Sequence, residues 1–486
     1  MSTFQPLLLL NVDILVDIFD HIILPDELAT EEEIPRAVNE DGTIPGALTA
    51  LASTQICSGL RQTLINTPLF WGKVINLDFL ADKEELREEI FLRTRSVPLC
   101  VQGHEHLQVQ DQKMKNKSLP ITLQDNWYRI QTLDIEVTSD KMATLILELS
   151  NQLSPLLERF RVQSSGHIGA SWGAAFKSSN NLAPSLSTYD CGLYTLDVTA
   201  PWLCQLRTFR FHAHVRARNM LSSEVFRALS QMVALEELFL DCNTLKKTLS
   251  SLPEGQRIAL PKLNRFQTLG DSWDCLVLFE LLEIPSTCSP GVTITNPDYN
   301  LRQCLPSLIS HFSRFAIPPA TSCLPTHLQI DFSVYGFRLR AQNVPLDDPF
   351  PHFPTYDYPS TFISIRPETS SSLPDIADFM PMLALEKLAY GVKTLNLDLY
   401  GKFASRDNNH MDPFFQALEN LVHLNITRTA FEYVVQLPFP LFPNLEKLTL
   451  EENTTFTNSP ELISKFKELR TQFALRQVAI ISTYEL

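Results

Sequence analysis

One short phrase recurs through most of the chain and constrains its fold more than any other feature. Leucine or another apolar residue occupies its first, fourth and sixth positions, as Leu-x-x-Leu-x-Leu. Copies begin at residues 130, 157, 186, 206, 235 and 263, and again at 392, 421, 445 and 475. Within each block successive copies are 20 to 30 residues apart. A period of this size predicts an array of small similar units rather than one conventional core.

Each copy of the phrase predicts a short strand whose apolar side chains point inward while the intervening ones point outward. Helical spacing follows at 222–234 and 411–421, where each unit should return to its next strand. Two copies extend to an asparagine, Asn243 and Asn453, which would bond the turning backbone after the strand. The fold class predicted is α/β, with a parallel sheet. Repeats should be irregular at 285–380, with 327–332 and 361–366 as strand candidates between proline-rich loops.

Composition narrows the class of partner. At 486 residues the chain is too long for one ordinary core, and its 44% hydrophobic and 20% charged content is that of a globular protein. The formal charge of −15 argues against nucleic acid or an anionic membrane as the main partner. Nine scattered cysteines without a Cys-x-x-Cys pair indicate reduced thiols in an intracellular protein, cytoplasmic or nuclear. Polar residues interrupt the early leucine run, so we expect neither a signal peptide nor a membrane span.

The N-terminal region predicts a small helical bundle. Asn11 is a suitable helix cap, and it precedes an apolar stripe of Ile14, Leu15, Ile18, Phe19, Ile22 and Ile23. Residues 25–46 form a predicted acidic loop, and a second helical pattern occupies 47–64. This helix should break at Thr67-Pro68, with Trp71 covering the small core.

These N-terminal segments resemble an F-box, in particular the divergent fungal type that precedes leucine-rich repeats. The opening Leu10-Asn11-Val12-Asp13-Ile14-Leu15-Val16-Asp17-Ile18-Phe19 is similar to the family's Leu-Pro-x-Glu-Ile-Leu-x-x-Ile-Phe. Ile56-Cys57-Ser58-Gly59-Leu60-Arg61 corresponds to its middle helix, and Asn66-Thr67-Pro68-Leu69-Phe70-Trp71 to its exit. Asn11 replaces the signature proline, Leu60 the usual tryptophan and Ser58 the usual arginine.

The resemblance implies an F-box-like helical domain at 1–79 and an irregular leucine-rich-repeat solenoid at 80–486. It further implies a receptor subunit of a cullin-based ubiquitin ligase, in which the F-box binds a Skp-type adaptor and the repeats bind a target protein of unknown identity. The implied adaptor-binding positions are Leu10, Asn11, Ile14, Leu15, Ile18, Ile56 and Leu60. No cofactor and no catalytic residue are implied.

The outward positions of the repeat strands are the candidate target-binding residues, because solenoids use such extended faces for protein recognition. An ordinary solvated surface role is the alternative for each of them. The set is Arg159, Arg161, Arg210, His212, Glu237, Phe239, Asp241, Asn396, His423, Asn425 and Lys447.

Two other functions remain open at this stage. A protein-interaction scaffold would use the F-box-like helices only to cap the solenoid. A serine hydrolase is a weaker alternative, since Gly169 to Gly173 matches Gly-x-Ser-x-Gly around Ser171 but follows polar sequence instead of a buried strand. The pairs His104/His106 and His212/His214 lack further ligands at metal-binding spacing, so no metal site is predicted.

Overall fold

A computed structural model describes residues 58–73, 75–80, 84–104, 118–164, 175–176, 183–191, 195–196, 198–211, 222–242, 257–296, 301–316, 327–333, 336–342, 361–365, 389–399, 412–434, 442–452 and 477–482. The chain divides into two compact units. The first comprises Met1–Glu254 and Phe353–Asp357, and the second Gly255–His352 and Tyr358–Leu486. Both are mixed α/β structures with a largely parallel sheet.

The first unit contains a parallel sheet of order β1-β2-β3-β4-β6-β8-β9. Its helices are α1 (Ser58–Ile65), α2 (Pro68–Lys73), α3 (Leu77–Leu80), α4 (Glu84–Thr94), α5 (Ser118–Asn126), α6 (Asp140–Ser150) and α7 (Ser222–Leu229). Its strands are β1 (Ile75–Asn76), β2 (Leu99–His104), β3 (Ile130–Val137), β4 (Arg159–Ser164), β5 (Ala175–Phe176), β6 (Thr188–Cys191), β7 (Thr195–Leu196), β8 (Thr208–Phe211) and β9 (Glu237–Asp241). The short strands β5 and β7 pair separately.

The second unit contains a sheet of order β11-β13-β16-β15-β14-β17-β18-β19-β20, and β10 pairs separately with β12. Its helices are α8 (Ser272–Leu281), α9 (Leu301–Ala316), α10 (Asp412–Ala417) and α11 (Arg428–Val434). Its strands are β10 (Ile258–Ala259), β11 (Arg265–Asp271), β12 (Leu282–Glu283), β13 (Ser289–Asn296), β14 (His327–Ser333), β15 (Gly336–Gln342), β16 (Thr361–Ile365), β17 (Thr394–Leu399), β18 (His423–Thr427), β19 (Lys447–Glu452) and β20 (Gln477–Ser482).

The apolar positions of the repeated phrase are buried in the copies that the structure describes, as the sequence predicts. In β4 and the turn before it, Leu157, Phe160 and Val162 are inaccessible, and Leu235, Leu238 and Leu240 repeat the pattern at β9. Intervening residues are half-buried, because successive side chains of a strand point to opposite faces. Helices α7 and α10 lie within the segments predicted to be helical. The α/β class and the parallel sheet are therefore confirmed.

The region 285–380 departs from the simple repeat. The predicted strands at 327–332 and 361–366 correspond to β14 and β16. Between them in the sheet lies β15, which runs antiparallel to both neighbours. Strand β14 pairs with β15 from His327↔Gln342 to Ser333↔Gly336, so this antiparallel pair interrupts the parallel order of the sheet. Strand β13 was not foreseen, because its sequence SPGVTITN lacks the leucine phrase.

A four-residue turn precedes most of the repeated strands. The N–H of the phrase's first apolar residue donates to the carbonyl three residues earlier, as in Leu157 to Ser154, Leu235 to Met232 and Leu421 to Leu418. The first residue of each such turn is buried, and the second is proline in several copies, including Pro155, Pro184 and Pro443. Proline suits this position because its ring fixes φ near the value that the turn requires.

Several successive turns are hydrogen-bonded to one another. In these, the third residue of one turn donates from its side chain to the second carbonyl of the turn before it. Ser185 Oγ bonds the Pro155 carbonyl at 2.9 Å, and Arg129 Nη1 bonds that of Arg95 at 2.6 Å. In the second unit Asn444 Nδ2 bonds the Glu419 carbonyl at 2.9 Å. These bonds align the turns along one edge of each sheet.

The inward face of the first sheet carries stacked aromatic rings. Phe160, Tyr189 and Phe209 occupy matching positions on adjacent strands, and their ring centroids are 5.8 and 6.0 Å apart. Trp202 stacks on Tyr189 at 5.5 Å. Each ring adds dispersion contacts to the area it buries, so this row fixes the spacing and register of β4, β6 and β8.

Candidate functional site

The outward face of the first sheet carries a row of charged residues in strict register. Asp134, Arg161, Asp190 and Arg210 lie side by side on β3, β4, β6 and β8, and Phe239 continues the row on β9. We call these five residues the charged row. Because each occupies the position between two inward apolar residues, the leucine phrase itself places them on one face.

Arg161 lies between two carboxylates. Its Nη1 is 3.3 Å from Asp134 Oδ2, and its Nε is 3.5 Å from Asp190 Oδ2. Further along, Arg210 Nη2 lies 3.5 Å from Glu237 Oε2. Charges of opposite sign thus alternate across four strands, and each guanidinium is held in place before any partner arrives. Arginines held in this way lose little conformational entropy on binding, which favours protein recognition.

Asp190 is the most enclosed member of the charged row, with 2% of its surface exposed. Burial raises the pKa of its carboxyl above the ordinary value, while the charges of Arg161 and Arg210 oppose the rise. Burial likewise lowers the pKa of the Arg161 guanidinium, against the attraction of Asp190. For both groups, burial shifts the pKa more than the opposite charge of the partner does. The arginine still remains protonated, because a guanidinium group is not deprotonated in proteins.

Further predicted target-binding residues surround the charged row. Arg159 and Glu237 occupy the flanking register on β4 and β9, and both are half-buried. Asp241 ends β9 in a half-buried position, and His212 lies outside the described residues. On the other flank His104 Nε2 lies 3.2 Å from Glu136 Oε2. The face of the first unit therefore brings together most of the residues that the sequence assigned to it.

In the second sheet, the predicted target-binding residues differ in how far they are exposed. Asn425 and Asn396 are in register on β18 and β17, and Asn425 Nδ2 donates to Asn396 Oδ1 at 2.7 Å. Asn396 is only 5% exposed, so it supports Asn425 instead of presenting a free amide to a partner. His423 is exposed and Lys447 half-buried, in register on adjacent strands. The accessible part of this face is thus His423, Asn425 and Lys447.

Most predicted adaptor-binding residues lie outside the described part of the chain: Leu10, Asn11, Ile14, Leu15, Ile18 and Ile56. Leu60 belongs to α1. Ser171, Asn243 and Asn453 also lie outside the described residues, as do His106 and His214.

Residues 66–71, which resemble the exit of an F-box in sequence, lie in the described part of the chain, and α2 packs against the first sheet. Phe70, Trp71 and Gly72 of α2 are buried, and α2 packs against α4 and β2. Trp71 Nε1 donates to the Leu64 carbonyl at 2.9 Å, and the Arg93 guanidinium lies 4.8 Å from the centre of the indole ring. The prediction that Trp71 covers a small core is consistent with this burial, although part of the core comes from the sheet.

Sequence reasoning missed Asp190 and the turns. Asp190 occupies an outward position in "LSTYDC", so the alternation rule would have included it. The turns carry a weaker signal, a small or apolar residue three positions before the phrase, which becomes visible only when the copies are aligned. No helix among the described residues combines the length and apolar composition that a membrane crossing requires. Within the same residues, no cluster of three or more His, Cys, Asp or Glu side chains could hold a metal ion.

No protein-family model matches this chain, and no curated protein matches it significantly.

Proposed function

We propose that this protein is a substrate receptor of a cullin-based ubiquitin ligase, in which an N-terminal F-box-like bundle binds a Skp-type adaptor and a leucine-rich-repeat solenoid binds a target protein. The observation that carries the proposal is the charged row. It is a regular, partly buried face of paired arginines and carboxylates, built on repeated strands, which suits protein recognition. The chain would perform no covalent chemistry.

In this proposal, the parallel strands within each unit belong to stacked repeats. The recurring turn and the bonds between successive turns support a stacked-repeat arrangement within each unit. The mechanism would be positioning: holding a target beside a bound transfer enzyme raises the effective concentration of its lysines.

Adaptor binding is the decisive test. The full-length protein should co-purify with a Skp-type adaptor, and the double variant Leu15→Asp/Ile18→Asp should not. Trp273→Asp is a matched control, since it places the same charge at an exposed apolar residue in the second unit. No adaptor retained by the wild-type protein would rule out the ligase.

Target binding needs a separate experiment on the charged row. Arg210→Glu should remove the proteins captured by wild type in proximity labelling, because it reverses a charge on the proposed face. Glu419→Arg reverses an exposed charge in a turn of the second unit and should leave capture unchanged. Equal loss with both variants would show that the charged row is not the recognition surface.

An interaction scaffold is the second candidate, and one observation favours it. The segment that ends the F-box-like motif is buried against the chain's own α4 and β2, as a solenoid cap would be. A scaffold would retain its captured proteins in cells in which the Skp-type adaptor is depleted, but would not alter their ubiquitination or lifetime. A receptor would lose the ubiquitination of its target.

A further inference from the structure

The turns along one edge of the first sheet expose apolar side chains. Tyr128 is 59% exposed, Leu156 38% and Val233 54%. Pro155, in the same turn as Leu156, is also exposed, as are Pro184 and Cys204 in the next two turns. We call these six residues the apolar edge.

The apolar edge is continuous. Ser154 Oγ donates to the Trp127 carbonyl at 3.3 Å, Ser185 Oγ to the Pro155 carbonyl at 2.9 Å, and Gln205 to the Pro184 carbonyl, so the first four turns are joined in series. Directly after the fourth and fifth turns, the Glu236 N–H donates to the Arg207 carbonyl at 2.7 Å. Five turns spaced by the ~4.8 Å between strands make a row roughly 20 Å long.

The turn does not itself require apolar residues. In the second unit the equivalent turns expose Lys262, Glu419, Asn420 and Asn444, alongside Pro261 and Pro443. Exposed polar and charged side chains are therefore compatible with the same backbone. Contiguous exposed apolar residues flanked by polar ones are typical of a protein interface.

Charge beside the apolar edge indicates what covers it. The last residue of each turn is also the first apolar residue of the phrase. The residues immediately after it are, in turn order, Gln131, Glu158, Ser187, Arg207 and Glu236. Glu158 and Arg207 are exposed, and they lie one turn before and one turn after the central turn, which is residues 183–186. A two-fold axis through the central turn would therefore bring Glu158 of each copy opposite Arg207 of the other, and Tyr128 opposite Val233.

We propose that the apolar edge is a homodimer interface, occupied by the same edge of a second copy of this chain around a two-fold axis at the central turn. Such an isologous interface needs a surface that is complementary to itself, and the sequence of charges along this edge meets that need. The Arg207–Glu236 contact within one chain, at 3.9 Å and with Arg207 68% exposed, is too weak to prevent the exchange of partners. The proposed interface includes neither the charged row nor residues 10–60, so dimerisation and the ligase function can be tested independently of each other.

Sedimentation equilibrium of the full-length protein tests the proposal through charge reversal. Wild type should be dimeric at micromolar concentration, and Glu158→Arg or Arg207→Glu alone should weaken association ~10-fold or more by opposing like charges. The double variant Glu158→Arg/Arg207→Glu should restore wild-type association. A monomer at ~100 µM would overturn the proposal, as would a double variant no stronger than the single ones.

Cross-linking locates the axis. With Cys204→Ser as background, Ser185→Cys should form a disulfide between two chains under mild oxidation, because residue 185 lies at the proposed two-fold axis. Asn444→Cys occupies the equivalent exposed position of a turn in the second unit and should not cross-link. A dimer whose Ser185→Cys variant stays reduced would place the interface elsewhere and reject the apolar edge.

Discussion

The Nε atom of Arg161 lies 3.5 Å from Oδ2 of Asp190, whose surface is 2% exposed. The positive charge of Arg161 stabilises a carboxylate that has lost almost all of its contact with water. Arg161→Ala should therefore lower the free energy of unfolding by about 2–3 kcal/mol, somewhat less than for a fully buried pair because Arg210 is also near. Urea unfolding would measure it. Arg227→Ala is the matched control, since Arg227 is exposed on α7 and its removal should change the unfolding free energy by less than ~0.5 kcal/mol.

Asp190 should also make stability depend on pH. Burial raises the pKa of the Asp190 carboxyl in the folded protein. The protonated carboxyl therefore contributes to stability below the unfolded pKa of about 3.9, and this contribution is lost as pH rises through the pKa of the folded protein. Asp190→Asn removes this titration. Relative to wild type, the variant should become more stable as pH rises from ~4 to neutrality. Thermal unfolding of both proteins across this range measures the difference, and a trend of opposite sign would show that Arg161 dominates.

The joint between α2 and the first sheet should be sensitive at two adjacent residues. Trp71→Phe keeps most of the buried ring but removes the bond to the Leu64 carbonyl, so we expect a loss of ~1 kcal/mol. Trp71→Ala should cost about 3–5 kcal/mol because it leaves a cavity. Denaturant unfolding of the two variants would measure the ratio of their losses in unfolding free energy. Equal effects would mean that the ring volume contributes little.

Substitution of Gly72 would test how closely α2 packs against the residues before β2. A Cβ atom on Gly72 would lie 2.5 Å from the Pro98 carbonyl oxygen, so the backbone must move to accept Gly72→Ala. We expect a loss of ~1–3 kcal/mol. Lys73→Ala at the next, half-buried residue should change the unfolding free energy by less than ~0.5 kcal/mol. A tolerated Gly72→Ala would show that α2 is not packed against the start of β2.

The amide pair of the second unit should show coupling. Asn425→Ala removes the donor to the buried Asn396 Oδ1 and should cost about 1–3 kcal/mol. Asn396→Ala in addition should cost less than the sum of the single changes. A double-mutant cycle measures this interaction, which we expect at ~1 kcal/mol. Additive effects would contradict the observed bond.

Sequence alone determined the class of secondary structure and the inward residues. A leucine phrase repeated every 20 to 30 residues leaves few ways to bury its apolar positions, and Leu157, Phe160 and Val162 lie where that phrase predicts. Alternation along the strand also determined which face carries Arg161 and Arg210. These features follow from local geometry, namely the two-residue period of a strand.

Tertiary structure alone decided what those residues meet. The contact of Arg161 with Asp134 and Asp190 joins positions 27 and 29 residues apart in sequence and depends on the register of three strands. The reversed strand β15, the burial of Asn396 and the row of turns along the apolar edge likewise depend on which strands become neighbours. Register and pairing depend on long-range packing, whereas the phrase specifies only how each strand divides its own side chains between two faces.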